Sequence, residues 1–311
     1  MHPVKKIGQM LRLLRVGGLL LLALLIAGCQ SATLKTAGRD VNAYPAMWLA
    51  EDHDSKVYLF GSIHVLPEGV RWYTPLVASA FENAEELVIE SKANDSSGNV
   101  AMSEYIQARA LLPEGQTLDE LLSPADYARL QELAGILQLD EYAVSRMQPW
   151  LLRIVLTNEI FEQSGMQRTL GVDNLFEESA LRNDMKISAL ETPREAMMTL
   201  AEYPLKVQLR QLSESLGKTA GDSEKDEFSG LLASWAMGDI DRNAQLIAAG
   251  MSSLTYRNVV VNRNHKWLPR LEGYLSKPQQ TMVVVGNAHL VGKSNLIDML
   301  KRRGHKVSRV Q

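Results

Sequence analysis

The 311-residue chain is 46% apolar and 22% charged, so it can build one large or two modest globular domains, and it is neither disordered nor fibrous. A net charge of −3, with no basic stripe beyond the first residues and Lys301 to Arg303, excludes a general attraction to nucleic acid.

At the N-terminus Lys5, Lys6, Arg12 and Arg15 accompany the apolar run VGGLLLLALLIAG, which is shorter than the ~20 residues a spanning helix needs. The stretch LLIAGC resembles a bacterial lipobox. Residues 1–28 therefore read as a lipoprotein signal peptide, with Cys29 as the acylated residue and the membrane as partner. Gln30 and Ser31 follow it; the sorting pattern, which retains proteins at the inner membrane when Asp stands there, points to the outer membrane, facing the periplasm. Because Cys29 is the only cysteine, acylation leaves no thiol for a disulfide or a metal, and any ligands must be His, Asp or Glu.

Residues 29–43 read as a polar tether and 44–311 as the folded domain. AMWLAE, DHDS and KVYLFGS predict a β-hairpin, Pro75 to Ala84 a helix, and ELVIE, ending at Glu90, a buried strand. Strand, helix, strand suggests a parallel α/β unit. A helical middle occupies about residues 100–280: one helix opens at Ser123-Pro124, another runs from Pro149 to Gly165, and a third follows Asp173, which reads as its cap, with support of a site residue as the alternative. MKISALE, from Met185 to Glu191, returns to strand character, and one long helix is expected from Thr192 to Leu216, opened by a capping box with Glu195. The stretch from Gly217 to Gly230 is the most loop-like of the interior, although its charged part can begin the next helix. Helices then continue to about Leu275, followed by the strand TMVVVG, the helix KSNLIDMLKRRG and the strand HKVSRV.

Two loops echo each other. VYLFGSIHVLP and VVVGNAHLVG both end an apolar strand in Gly-x-x-His, giving Gly61 to His64 and Gly286 to His289. Glu90 and Glu191 close two other strands at equivalent places. At the rim of a parallel sheet, where ligands bind, His64, Glu90, Glu191 and His289 would point into one cleft. Two imidazoles and a carboxylate suit a divalent ion with open positions for water, a second carboxylate taking the water's proton. The same set without metal suits general acid–base work, and the residues leave both open. His53, His265 and His305 lack this context and read as structural or solvated. VVVGNAHLVGKSN also looks like a phosphate loop, but five residues separate Gly286 from Gly292, one more than the Walker pattern has.

The paired loops, Glu90, GVD at Gly171 to Asp173, NRNHKW opening a helix at Asn262, and VVVGNAHLVG together resemble the TraB/GumN family, which is related to the Tiki proteases and, more distantly, to the erythromycin-esterase and ChaN-like folds. The resemblance covers about residues 44–311. It implies an α/β fold with a mixed, mostly parallel sheet from two related halves and a large helical insertion between them. It also implies a metal-dependent hydrolase, and the Tiki-type members, proteases that use Mn²⁺ or Co²⁺, point to a peptidase; Zn²⁺ suits the same ligand types. His64, Glu90 and His289 would then be both catalytic and metal-binding, with Arg263 and Asn264 lining the cleft and the guanidinium clamping a substrate carboxylate or an oxyanion. Glu191 joins the catalytic set, and the substrate is a peptide or small molecule. The competing reading is a non-catalytic envelope lipoprotein that binds haem, iron or a partner on the same fold.

Overall fold

A computed structural model describes residues 40–92, 96–218 and 223–311. The signal peptide and Cys29 lie outside the described residues. No helix among the described residues is long and apolar enough to cross a membrane.

Two compact units emerge from the chain, each discontinuous in sequence. One is helical and drawn from Ala93–Ser164 and Thr192–Glu224; the other holds the sheet and comprises the described residues up to Lys92, Gly165–Glu191 and Lys225–Gln311. In chain order the first elements are β1 (Val41–Asn42), β2 (Met47–Glu51), β3 (Lys56–Ser62), β4 (Val70–Arg71), α1 (Pro75–Glu82) and β5 (Glu86–Ile89). The helical unit then supplies α2 (Ser96–Arg109), α3 (Leu118–Leu121), α4 (Pro124–Ile136), α5 (Glu141–Arg146) and α6 (Pro149–Gln163). Next come α7 (Val172–Arg182) and β6 (Lys186–Ala189), then α8 (Pro193–Ala201), α9 (Leu205–Lys218), α10 (Ser223–Ala236), α11 (Ile240–Gly250), α12 (Ser253–Tyr256) and α13 (Asn262–Leu275). The chain closes with β7 (Gln280–Gly286), α14 (Leu296–Arg302) and β8 (Lys306–Arg309).

The sheet has the order β6-β5-β7-β3-β2-β8, in which β6, β5, β7 and β3 run parallel and β2 pairs antiparallel with both β3 and β8. This is the mixed, mostly parallel α/β sheet that the family resemblance implies, and its parallel part is the unit expected from the strand–helix alternation. Its inner strands are nearly continuous apolar runs because both faces are covered: Val57, Leu59, Phe60 and Met282 to Val285 are all buried. On the side of α7, Phe60 packs against Trp72 and Phe176, and Phe81 meets Phe176 with ring centroids 4.9 Å apart. Such pairs add about 0.5–1.5 kcal/mol each beyond their burial.

In the helical unit Ser123, Asp140 and Thr192 each cap a helix with the side-chain oxygen, and Glu195 returns a bond to the Thr192 amide. The single helix expected from Thr192 to Leu216 is two. Pro204, which has no amide hydrogen to donate, marks the break between α8 and α9. Buried Gln208 satisfies the groups freed there, donating to Ala201 O and Tyr203 O and accepting from the Trp150 amide.

Three further boundaries differ from the sequence reading. Val41 and Asn42, assigned to the tether, pair in parallel with Val70 and Arg71. Asn262 does not open a helix: the helical run begins after Ser252 and passes through a π turn, Arg257–Val261, before α13. Finally, α14 starts at Leu296, not Lys293, because Gly292 and Ser294 adopt φ of 74° and 55° and Asn295 is the cap. Gly-Lys-Ser therefore lies in a turn ahead of the helix, where the Lys293 carbonyl accepts from Tyr256 Oη at 2.6 Å.

Candidate active site

The register Gly61↔Val285 and Ser62↔Gly286 sets the ends of β3 and β7 side by side, so the two Gly-x-x-His loops leave the sheet together. On the other side of β7, the ladder of β5 and β6 continues one step further, with the Glu191 amide donating to Glu90 O at 2.9 Å. Adjacent parallel strands thus deliver His64, His289, Glu90 and Glu191 to one rim of one sheet. All four belong to the sheet unit, as do Arg263 and Asn264.

Arg263, 3% exposed, fills the centre. Its Nη2 donates to Glu90 Oε2 and Glu191 Oε1, each at 2.5 Å, and its Nε donates to Glu191 at 3.0 Å. Nη1 donates to Val259 O in the π turn at 3.3 Å and faces His289 Nε2 at 3.2 Å. All five guanidinium N–H groups are therefore engaged inside the protein. Trp267, one turn on from Arg263, lies under the guanidinium with 4.4 Å between Cζ and ring centroid, and its Nε1 donates to Glu191 Oε2. The π turn sets the phase of the helix just before these residues, a position such turns often take at functional sites.

His289 is fixed by its neighbour on α13. Asn264 Nδ2 donates to two carbonyls, His289 O and Ser294 O, so Asn264 Oδ1 is the acceptor and His289 Nδ1 carries the proton between them at 2.6 Å. Its Nε2 lone pair consequently faces Arg263. Burial pushes this imidazole down to about 3, and the adjacent guanidinium reinforces the neutral form.

The two carboxylates differ. Burial raises the Glu90 carboxyl, but Arg263 overrides this and holds it well below the ordinary range; its Oε1 also accepts the Gly286 amide at 2.6 Å. Glu191 stays above its usual value because burial outweighs Arg263, one guanidinium being shared by two carboxylates.

His64 is the accessible member, with 17% of its side chain exposed and Nδ1 3.0 Å from Asp173 Oδ1. Burial pulls its basicity down, but the Asp173 charge and then Glu90 raise it above the ordinary value. Asp173 does not cap α7, whose cap is Gly171; it stands in the first turn and reaches the histidine. Gly171 allows this docking, since any Cβ there would strike the His64 carbonyl, and the Val172 amide donates to Ile63 O at 3.0 Å. The free Nε2 of His64 faces the inner side. A Cβ on Gly286 would lie 3.7 Å from this Nε2 and 3.1 Å from Glu90 Oε1.

Residues 46–309 match the model of the TraB/PrgY/gumN family. The chain belongs to this family. Among curated relatives of this TraB/PrgY/gumN protein, it is 22% identical over 258 residues to YbaP, an uncharacterized protein of Escherichia coli (strain K12), covering 83% of this chain and 92% of YbaP. An uncharacterized protein of Treponema pallidum (strain Nichols) is 19% identical over 82% of this chain and 80% of its own length. A metalloprotease TIKI homolog of Amphimedon queenslandica is 22% identical over 94% of this chain and 66% of its own length. No solved structure matches the chain.

The six side chains singled out in this TraB/PrgY/gumN chain converge, but their arrangement does not fit a resident divalent ion. Arg263 takes both carboxylates and faces the Nε2 lone pair of His289. Nδ1 of His289 bonds Asn264 and that of His64 stands 3.0 Å from Asp173 Oδ1, so a metal could meet these rings only through Nε2, and the Nε2 of His289 is taken up by Arg263. Among the described residues no three His, Cys, Asp or Glu side chains are grouped so as to hold a metal ion. Trp267 escaped the sequence reading, although its i,i+4 spacing to Arg263 could have found it; Asp173 lay within the GVD motif, but the helix end was the preferred assignment.

Proposed function

We propose that this protein is a hydrolase of peptide or ester bonds in which His64 is the general base, working by acid–base chemistry at the rim of the sheet. The observation that carries the reading is the His64–Asp173 pair at 3.0 Å. A carboxylate on Nδ1 selects the tautomer with a free lone pair on Nε2, on the side of Glu90 Oε1. Nε2 can take a proton from water as the water attacks a carbonyl carbon, and the resulting imidazolium can return it to the leaving group. Asp173 and the Glu90 carboxylate favour that imidazolium. The engaged guanidinium of Arg263 and the carboxylate of Glu191 orient Glu90, and Asn264 orients His289.

The likeness to the Amphimedon queenslandica metalloprotease TIKI homolog favours a second reading in which a divalent ion takes part. The occupied donor set of this chain supports the metal-free one. The lipobox around Cys29 supports an acylated protein held at the outer membrane and facing the periplasm, with peptides or small molecules of that compartment as substrates.

A panel of peptide and ester substrates, read against wild type, His64→Ala and Glu90→Gln, tests the activity. Turnover should fall by roughly 10²-fold or more in both folded variants. Folded wild-type protein that turns over nothing in the panel, while developing a Soret band on addition of haem, would favour the binding-protein reading. Palmitate labelling that is retained in Cys29→Ser would remove the acylation.

A further inference from the structure

We propose that Arg263 occupies the place of the divalent cation in this centre, as a permanent positive charge supplied by the chain, and that the centre excludes metal while the guanidinium is there. The inference rests on reading the rim as the reaction centre, and its test is separate from activity.

Three observations carry it. The first is saturation. Two carboxylates, one imidazole lone pair and one carbonyl surround a single guanidinium, and each of its five N–H groups meets one of them at 2.5–3.3 Å. An arginine placed to greet a substrate would keep at least one edge open.

Charge is the second. Glu90 and Glu191 bring two negative charges, and Arg263 already stands between them, 3% exposed and stacked on Trp267. A divalent ion at the same point would set like charges at hydrogen-bond distance in a site shielded from water, where repulsion is least screened.

The donors that remain are the third. Glu191 accepts from Arg263 through both oxygens and from Trp267 Nε1, and His289 Nε2 faces Arg263 Nη1 at 3.2 Å. What is left is His64 Nε2 and the Gly286-bonded Oε1 of Glu90, fewer donors than the three protein ligands of a typical catalytic metal site.

The test uses the full chain and Co²⁺ alone, with free ion removed by gel filtration. Bound metal is read from the cobalt d–d absorption and by elemental analysis. Wild type should retain none, and its thermal midpoint should be the same with cobalt and with chelator. Arg263→Ala, which uncovers Glu90, Glu191 and His289 Nε2, should retain stoichiometric cobalt, and the added change His289→Asn should abolish it. Stoichiometric cobalt in wild type, lost in His289→Asn, would overturn the proposal. So would a folded Arg263→Ala that takes up no ion. If Arg263→Ala does not fold, the wild-type measurements decide alone. A failed hydrolase reading would look different, with cobalt excluded and no substrate turned over.

Discussion

His64 Nδ1 lies 3.0 Å from Asp173 Oδ1, which ties the first Gly-x-x-His loop to the first turn of α7. The pairing gives Asp173 a task distinct from packing, because its side chain is 36% exposed and its loss leaves little uncovered apolar surface.

Asp173→Asn keeps the shape but can present its amide to Nδ1 and reverse the tautomer. In the substrate assay kcat should fall by roughly 10²–10⁴-fold, with KM and the thermal midpoint near wild type. A variant as active as wild type would separate the pair from the chemistry.

Gly286→Ala addresses the space between the two loops. The backbone at Gly286, with φ of −51°, accepts alanine without strain, so the effect comes from the methyl group alone. That group would press on Glu90 Oε1 and stand close to His64 Nε2. Chemical denaturation should show a loss of about 1–3 kcal/mol, the usual range for overpacking, and turnover should drop by more than that loss of folded protein explains.

Stability should fall on acidification from about pH 6.5. An unfolded histidine binds its proton near 6.5, whereas His289 is held down to about 3, so between these values the unfolded chain carries more protons and acid favours it. Glu90, also depressed, acts in the same sense but only below about 4.5, while Glu191, raised by burial, works in the opposite sense just above about 4.5, where the folded chain already holds its proton. His64, raised, contributes stability that is present below about 6.5 and lost above it. Between 4.5 and 6.5 the slope is therefore set by His289 against the opposing Glu191, and its upper end, approaching 6.5, is where His289 begins to act. Urea midpoints across a pH series should show a slope there that His289→Asn flattens.

The strands and their terminal residues were legible because period and punctuation are local. An apolar run ending in Gly-x-x-His announces both the strand and the projecting ring, and Glu90 and Glu191 ended their runs in the same way. For Asp173 the helix cap outweighed the role beside the site because a carboxylate in a first helical turn has a sufficient local explanation, and its actual partner is remote in sequence. The state of Arg263 was hidden for a related reason: lining a cleft and being wholly enclosed by it produce the same motif. Pro204 did carry a local signal, yet the helical pattern on either side outweighed it.

The order of strands also governs how this molecule can be made. β7 lies between β5 and β3 but is synthesised after both, and after β6. Until Gly286 emerges, β2 with β3 and β5 with β6 are two separate ribbons, each with an open apolar edge awaiting the same insert. Assembly through such distant partners is slow, and a chain truncated before β7 has nothing to join the ribbons. The convergence of the rim residues is therefore an all-or-none consequence of inserting β7, and chains truncated before it should yield aggregates, not partly formed sites.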